Sequence, residues 1–394
     1  MIGSAGFPAN SSSSVWITRC SGVWRSWWIL SIEDVVQLFF CNYRRCARVR
    51  LFQNFFCFFE GVARILATPM SRACRLSAFG SKPPALSVET MAALELGANE
   101  VLVRILAAPI NPADLNVIEG TYGELPSLPC TIGNEGVGVV ERVGSSVVGF
   151  AAGQTVLPLA FGTWAEQMLV PTEALVALPE GLDPLQAAML TVNPATAWRM
   201  LHDFIPLQPG DWIVQNAANS GVGRAVIQLA KALGLRTLNV VRRAELIGEL
   251  LQMGADVVVT EDADLRSEAS ALCGGVLPKL ALNAVGGASA LNVANALGVG
   301  SPHVTYGAMG RQPLKIPNGL LIFKNICFRG FWLRRWKETA SLAEVRSTYE
   351  TLAAYLAAGV LHTPIHRVFP IEEALEAIAE ASQEKRTGKV LLRM

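Results

Sequence analysis

The spacing of apolar and polar positions changes along the chain, and the change marks two kinds of structure. Val101 to Ala107 (VLVRILA) reads as a strand ending at a loop opened by Pro109 and Pro112. Ile132 to Val143 and Gln154 to Leu159 read as further short strands with Gly and Pro punctuation, which together predict a compact β-rich module. The texture then shifts. Leu185 to Met200 has helical spacing broken by Pro194, and Trp212 to Gln215 is a short apolar strand. A helix over Gly223 to Leu233 follows, then a strand at Thr237 to Val241, a helix over Ala244 to Met253 and a strand at Asp256 to Thr260. Leu280 to Val285 and His303 to Tyr306 read as strands, with a helix near Ala290 to Leu297 between them. Strands alternating with helices of this length predict βαβ crossovers and a parallel sheet, hence an α/β class. From about residue 340 the pattern gives two amphipathic helices and a closing strand, Lys389 to Leu392.

Composition narrows the function classes. The chain has 394 residues, 51% of them apolar, and a formal net charge of +1. That is a globular make-up, and the missing basic excess argues against nucleic acid as a main partner. Residues 1–70 carry seven Arg, no Lys and only Glu33, Asp34 and Glu60 as acids, so this leader is +4 and the remainder −3. It also holds eight of the 16 Phe, four of the nine Trp and the run Ser11 to Ser14. An Arg-rich, acid-poor, Ser-containing N-terminus is the pattern of a mitochondrial transit segment and predicts residence in the matrix; the alternative is a start-site artefact with Met70 as an internal start. Its apolar stretches, such as Leu51 to Phe59, are about half the ~18 residues of a spanning helix, so no stable membrane insertion is expected. The eight cysteines form no C-x-x-C pair and read as isolated thiols.

The segment from Asp211 to Val226 (DWIVQNAANSGVGRAV) is strand, turn and helix. Gly221 and Gly223 let backbone approach a pyrophosphate, and a helix start offers free N–H groups and a positive dipole end. Ala and Asn replace the early glycine of G-x-G-x-x-G, and Gly-rich strand–helix turns also occur without a ligand, so the flanking βαβ frame carries the reading. About 20 residues on, where a dinucleotide site for NADH carries an acid, this chain has Arg242 and Arg243. Guanidinium groups suit a 2′-phosphate, which predicts NADPH; the alternative is a solvated arginine pair.

Ala107 to Asn116 (AAPINPADLN) resembles the medium-chain dehydrogenase/reductase superfamily. Ile118 to Pro126, Gly133 to Gly138, Val192 to Ala197, Gln215 to Gly223, Leu238 to Arg242, Thr305 to Met309 and Arg329 to Leu333 resemble, more narrowly, the mitochondrial trans-2-enoyl-CoA reductases. The likeness runs from about residue 75 to the C-terminus. It implies a GroES-like catalytic domain built from residues 71–195 and 337–394, with a Rossmann domain inserted over 196–336, and homodimers formed through the latter. Zinc-dependent relatives carry His-Glu where this chain has Asn134-Glu135, together with a four-cysteine lobe absent here, so a zinc-free enzyme is expected.

The resemblance also assigns roles. Tyr122 becomes the proton donor in the reduction of a trans-2-enoyl thioester of coenzyme A or acyl carrier protein. Asn193 is placed near the nicotinamide, and Asn219, Ser220, Gly221 and Val222 at the phosphates. Arg242, Arg243 and Ala244 face the 2′-phosphate, although the family pattern there is Arg-acid-Arg. Tyr306, Gly307, Ala308 and Met309 form a loop at the carboxyl edge of the sheet. Phe331, Trp332 and Leu333 lie near the nicotinamide, and Lys389 completes the cofactor set. The basic, aromatic stretch Trp332 to Lys337 reads either as a contact for the phosphates of a thioester carrier or as a solubilising cluster. Two rival functions remain at this point: a zinc-free quinone or enone reductase on the same fold, and a non-enzymatic binding protein using the helix that contains Ile247, Leu250 and Leu251.

Overall fold

The computed structural model describes residues 70–383 and 386–394; the leader, and with it the expected targeting signal, lies outside the described residues. Two antiparallel strands, β1 (Ser71–Ala78) and β2 (Ala85–Met91), open the described chain. β3 (Glu100–Pro109), β4 (Cys130–Thr131), β5 (Val137–Val143), β6 (Thr155–Pro158), β7 (Gln167–Pro171) and β8 (Leu175–Ala177) follow. Then come β9 (Trp212–Gln215), β10 (Arg236–Val241), β11 (Val257–Thr260), β12 (Leu280–Asn283), β13 (Pro302–Thr305) and β14 (Cys327–Gly330). The chain closes with β15 (Ile365–Pro370) and β16 (Lys389–Arg393).

Strands from both ends of the chain share one sheet, in the order β15-β16-β3-β5-β6-β8 with β7 also paired to β3; a small sheet β2-β1-β4 accompanies it. The middle of the chain builds a six-stranded sheet, β11-β10-β9-β12-β13-β14, parallel throughout. Its order reverses between β9 and β12, and in doubly wound sheets ligands bind at the carboxyl ends of the strands at that switch point.

Both faces of the parallel sheet are covered, so its strands read as unbroken apolar runs. Ile213 of β9 and Leu280 and Leu282 of β12 pack in one core with Met200, Val226 and Tyr349. Their neighbours Trp212, Val214 and Ala281 face the opposite core with Leu265, Val293 and Leu320.

Several elements depart from the sequence reading. The helical stretch around Pro194 is two helices, Pro184–Ala187 and Asn193–His202, with Pro194 in the first turn of the second. A proline there gives up an N–H that has no partner anyway, so it begins the helix instead of interrupting it. The stretch after Arg243 starts as a 3₁₀ turn (Ala244–Leu246) before Ile247–Met253 becomes α-helical. In that helix Leu250 is buried with Ala218, Ile227 and Val241, whereas Leu251 is exposed, so the apolar trio is no continuous binding face. Strands β1, β2, β7, β8, β14 and β15 were not expected; β14 and β15 are sheet edges with polar residues in them, and the apolar alternation is lost there. The expected joints at 195/196 and 336/337 fall inside the helices Asn193–His202 and Leu333–Thr339. No helix among the described residues is long and apolar enough to cross a membrane.

His303 is a polar residue at a core position of β13, fully buried against the Phe328 ring. Its Nε2 lies 3.2 Å from the Ala290 carbonyl, so Nε2–H donates there and Nδ1 is left bare and unpartnered. Burial holds the ring's pKa down from 6.5 to about 4. A depressed basic group supports the fold above its ordinary pKa and loses that support as pH falls toward the folded value. The unfolding free energy is therefore expected to drop between pH 6.5 and 4, by up to roughly 3 kcal/mol from this group. The His303→Leu variant should show a shallower fall, measured by fluorescence-monitored urea unfolding; equal slopes would refute the assignment.

Candidate active site

The turn after β9 is built by backbone packing before any ligand is considered. Ala217 adopts φ +46°, and Ser220 caps the helix Gly221–Ala232, its Oγ accepting from Gly223 N–H at 3.1 Å. The two glycines do different things. A Cβ on Gly223 would come within 2.6 Å of the Ala218 carbonyl oxygen and 2.7 Å of that of Ala217, so Gly223 lets the helix sit on its own turn. A Cβ on Gly221 would stand 3.1 Å from the Asn193 amide and from Lys389 Cε, so Gly221 keeps open the space in front of those two side chains. The N–H groups of Gly221 and Val222 donate to no protein acceptor among the described residues. Free N–H groups at a helix start beside an open cradle fit a dinucleotide pyrophosphate.

Buried amides that the sequence reading did not single out hold the strand ends beneath this turn. Gln215 Nε2 donates to the Gly223 carbonyl at 3.0 Å and to Asn239 Oδ1 at 2.8 Å. Asn216 Nδ2 donates to Asn283 Oδ1 at 2.8 Å while its Oδ1 accepts from Ala284 N–H at 2.7 Å. The signal for them was an amide at the end of an apolar strand, where a buried polar group requires a partner.

The other expected cofactor residues flank the turn. Arg242 is exposed beyond β10, Arg243 pairs with Glu245 at 3.3 Å, and Ala244 begins the 3₁₀ turn. Arg224, on the first turn of the helix, donates to the Asn219 carbonyl at 3.0 Å and pairs with Glu249 at 2.6 Å. Tyr306 follows β13; its hydroxyl is buried without a formed hydrogen bond, and burial pushes its pKa up while the Ser220 side chain opposes the push. Gly307 lies close over the Ala284 carbonyl, and Ala308 and Met309 are exposed. Phe331 N–H donates to the Thr305 carbonyl at 2.9 Å, which carries the chain from β14 across the same carboxyl edge to Trp332 and Leu333.

Tyr122 meets that edge from the other side. The helix Pro112–Glu119 ends at Gly120 (φ +74°), and the Tyr122 N–H returns to the Asn116 carbonyl at 3.2 Å. Trp332 Nε1–H donates to the Tyr122 hydroxyl oxygen at 3.0 Å, and the rings stand edge-on at 5.9 Å. Two exposed ion pairs bracket this loop: Glu119 with Arg311 at 3.1 Å and Glu124 with Arg334 at 2.6 Å.

Beneath lies a buried charged cluster. Asn111 Nδ2 donates to Glu135 Oε1 at 2.6 Å; its Oδ1 accepts from Asn193 Nδ2 at 3.1 Å and from Lys389 Nζ. Glu135 Oε2 accepts from Val192 N–H at 2.8 Å and Thr191 Oγ1 at 3.2 Å. Asp114 accepts from Asn111 N–H at 2.7 Å and from the Asn134 side chain at 2.7 Å. Desolvation raises the Asp114 pKa to about 6 and pushes Glu135 up, against the pull of Lys389; the same desolvation lowers Lys389. Lys389, expected as a direct cofactor contact, has its ammonium turned into this cluster, while its stem borders the Gly221 space.

Residues 97–180 match the family described as alcohol dehydrogenase GroES-like domain, and residues 221–347 the family described as zinc-binding dehydrogenase. The side chains here do not fit a zinc ion: among the described residues no group of three or more His, Cys, Asp or Glu converges, and the cluster holds a lysine whose charge acts on both carboxylates. The mitochondrial enoyl-[acyl-carrier-protein] reductase of Rattus norvegicus is 43% identical over 320 residues, covering 79% of this chain and 86% of that protein. The structure of an Etr1p/NADP/crotonyl-CoA complex superposes with a TM-score of 0.75 at 31% identity, over 83% of this chain and all of the other. A putative NADPH:quinone reductase from Bacillus thuringiensis superposes at 0.77 with 29% identity and the same coverage. The fold is thus a GroES-like domain joined to a Rossmann-type dinucleotide-binding domain.

Gly223→Ala drives a methyl into two backbone carbonyls that cannot move independently. It is expected to cost about 1–3 kcal/mol of unfolding free energy, read from urea titration. A variant as stable as the parent would show that the turn has slack.

Proposed function

The chain belongs to the enoyl-[acyl-carrier-protein] reductase family, and on that footing we propose that it saturates the trans-2 double bond of an enoyl thioester with NADPH, as an oxidoreductase of mitochondrial fatty acid synthesis. The carrying observation is the Trp332–Tyr122 hydrogen bond at the carboxyl edge of the parallel sheet. When bound, NADPH supplies the hydride that goes to the β-carbon. The thioester carbonyl takes up the resulting charge as an enolate, and Tyr122 donates the proton that completes the α-carbon. The indole N–H uses a lone pair of the phenol oxygen and leaves its hydrogen free; no protein acceptor for that O–H is found among the described residues, so it can donate to the substrate. Once the proton has gone, the same indole N–H stabilises the phenolate.

The exposed Arg242 and the weakly paired Arg243 support selection of a 2′-phosphate, and the Etr1p complex with NADP supports the same cofactor. Zinc plays no part in the proposal, whose acid is a phenol. The carrier of the thioester, coenzyme A or acyl carrier protein, follows the names of the relatives and neighbours. The domain division proposed remains 71–195 with 337–394, and 196–336. A homodimer is proposed on the resemblance, and β14, which with β11 is one of the two edges of the parallel sheet, is an edge open to such pairing. Mitochondrial residence follows the relatives' names, and the matrix is the compartment proposed within it.

Tyr122→Phe is expected to lower crotonyl-CoA turnover by on the order of 10²-fold or more with NADPH binding unchanged. Turnover near the parent's would remove Tyr122 from the chemistry, and faster NADPH oxidation with a quinone than with crotonyl-CoA would favour a quinone reductase. Replacing Arg242 and Arg243 by Ala should raise KM for NADPH and leave that for NADH nearly unchanged. Equal effects on the two cofactors would exclude 2′-phosphate recognition.

A further inference from the structure

Tyr122 sits in a loop with few attachments of its own. Its N–H and that of Thr121 both return to the Asn116 carbonyl, at 3.2 and 2.9 Å. From Gly123 to Leu128 no backbone–backbone hydrogen bond forms among the described residues. This stretch is held instead by the dinucleotide half of the molecule. Three consecutive residues meet the start of the helix Leu333–Thr339. The Tyr122 hydroxyl accepts from Trp332, a Cβ on Gly123 would stand 3.6 Å from the same indole, and Glu124 pairs with Arg334 at 2.6 Å. Arg334 is fixed in turn: its Nε donates to Glu338 at 3.0 Å, and its guanidinium carbon lies 5.8 Å from the centre of the Trp332 ring. On the other flank Arg311 reaches Glu119 at 3.1 Å. Arg311 does so from the left-handed region, at φ +52°, a conformation that persists only where the surroundings impose it. Here the Met309 and Gly310 N–H groups impose it, donating to the Ala284 and Val285 carbonyls at 2.9 Å each.

One member of each ion pair has the wrong sign for its own helix. Glu119 is the last residue of Pro112–Glu119, where the helix dipole is negative, and Arg334 is in the first turn of Leu333–Thr339, where it is positive. The favourable partner of each lies across the junction. A single hydrogen bond sets a distance and leaves a rotation about it. A tie on either side of Tyr122 removes that freedom.

We propose that Arg311 and Arg334 are positioning residues for the proton transfer: paired with Glu119 and Glu124, they clamp the Tyr122 loop on both sides and set where the phenol stands at the carboxyl edge of the parallel sheet. The proposal rests on the reading of Tyr122 as the proton donor. Neither arginine touches the reacting atoms. Ion pairs as exposed as these add little to the stability of a fold. A proton donor displaced by about 1 Å, by contrast, costs on the order of 10²-fold in rate. The clamp therefore acts on turnover and leaves folding alone.

The double variant Glu119→Ala/Glu124→Ala removes both ties and alters neither the indole nor the phenol. Its kcat with crotonyl-CoA is expected to fall about tenfold or more, with KM for NADPH within about twofold of the parent's and the urea midpoint unchanged. Slower proton delivery should also raise the solvent deuterium isotope effect on kcat, which a mere loss of folded enzyme leaves unmoved. In a Tyr122→Phe background the same two substitutions should change the residual rate by less than about twofold, because no phenol is left to position. Four outcomes would overturn the clamp: a parent-like kcat, a lower kcat with the parent's isotope effect, an equal loss in the Tyr122→Phe background, or a lowered urea midpoint that accounts for the lost activity. Tyr122→Phe turning over like the parent would instead refute the proton-donor reading itself.

Discussion

Strand β16 lies antiparallel on β3 with Leu391 opposite Pro109, and the Ile110 N–H donates to the Val390 carbonyl at 2.9 Å. This pairing brings the last residues of the chain to a segment some 280 positions earlier and sets Lys389 against Asn111. Shifting the register by one residue would turn Lys389 to the other face of the sheet. The buried acceptors Asp114 and Glu135 would then lose the ammonium whose charge acts on both, and Asn111 the donor that fixes its amide. The open space at Gly221, the Asn193 amide and the start of the cofactor helix all lie against this one junction.

Burying two carboxylates and a lysine costs more than an apolar core of the same size unless every lone pair is used. Here hydrogen bonds meet that demand. Asp114 accepts from the backbone N–H groups of Asn111 and Asn134 and from the Asn134 side chain, and Glu135 accepts from Asn111, Thr191 and Val192. Tyr349, fully buried, anchors Thr191 from behind by donating to its carbonyl at 3.1 Å. Such a network is a poor source of net stability and a good source of fixed geometry, which suits a site where a flat ring must present one face.

The βαβ series was legible because buried parallel strands are apolar on both faces. Trp212–Gln215 was read to the residue, and the helix at Gly221 within two. Two edge strands escaped, β14 and β15, which have one side unpaired and carry Arg329, His366 and Arg367 without penalty, whereas the edge β11 is an apolar run and was read. Asn111 and Asp114 lay within a motif read only for its resemblance; a polar pair between an apolar strand and an apolar helix was the physical sign that they are buried and paired. Tyr122 had no sign of its own. Its partner Trp332 is 210 residues away in sequence, and only folding brings the indole to the phenol.

The two ion pairs beside the Tyr122 loop bear on how an anionic thioester enters. Arg311 and Arg334 project from the dinucleotide side, and each already holds a carboxylate of the substrate side, Glu119 and Glu124. At these two points the rim offers phosphate no spare positive charge. A phosphate must trade places with a carboxylate, so the rim works as an ion exchanger and not as a magnet. Dissolved salt weakens the pair that breaks as well as the pair that forms, so at these positions ionic strength alters the rate of exchange more than its balance.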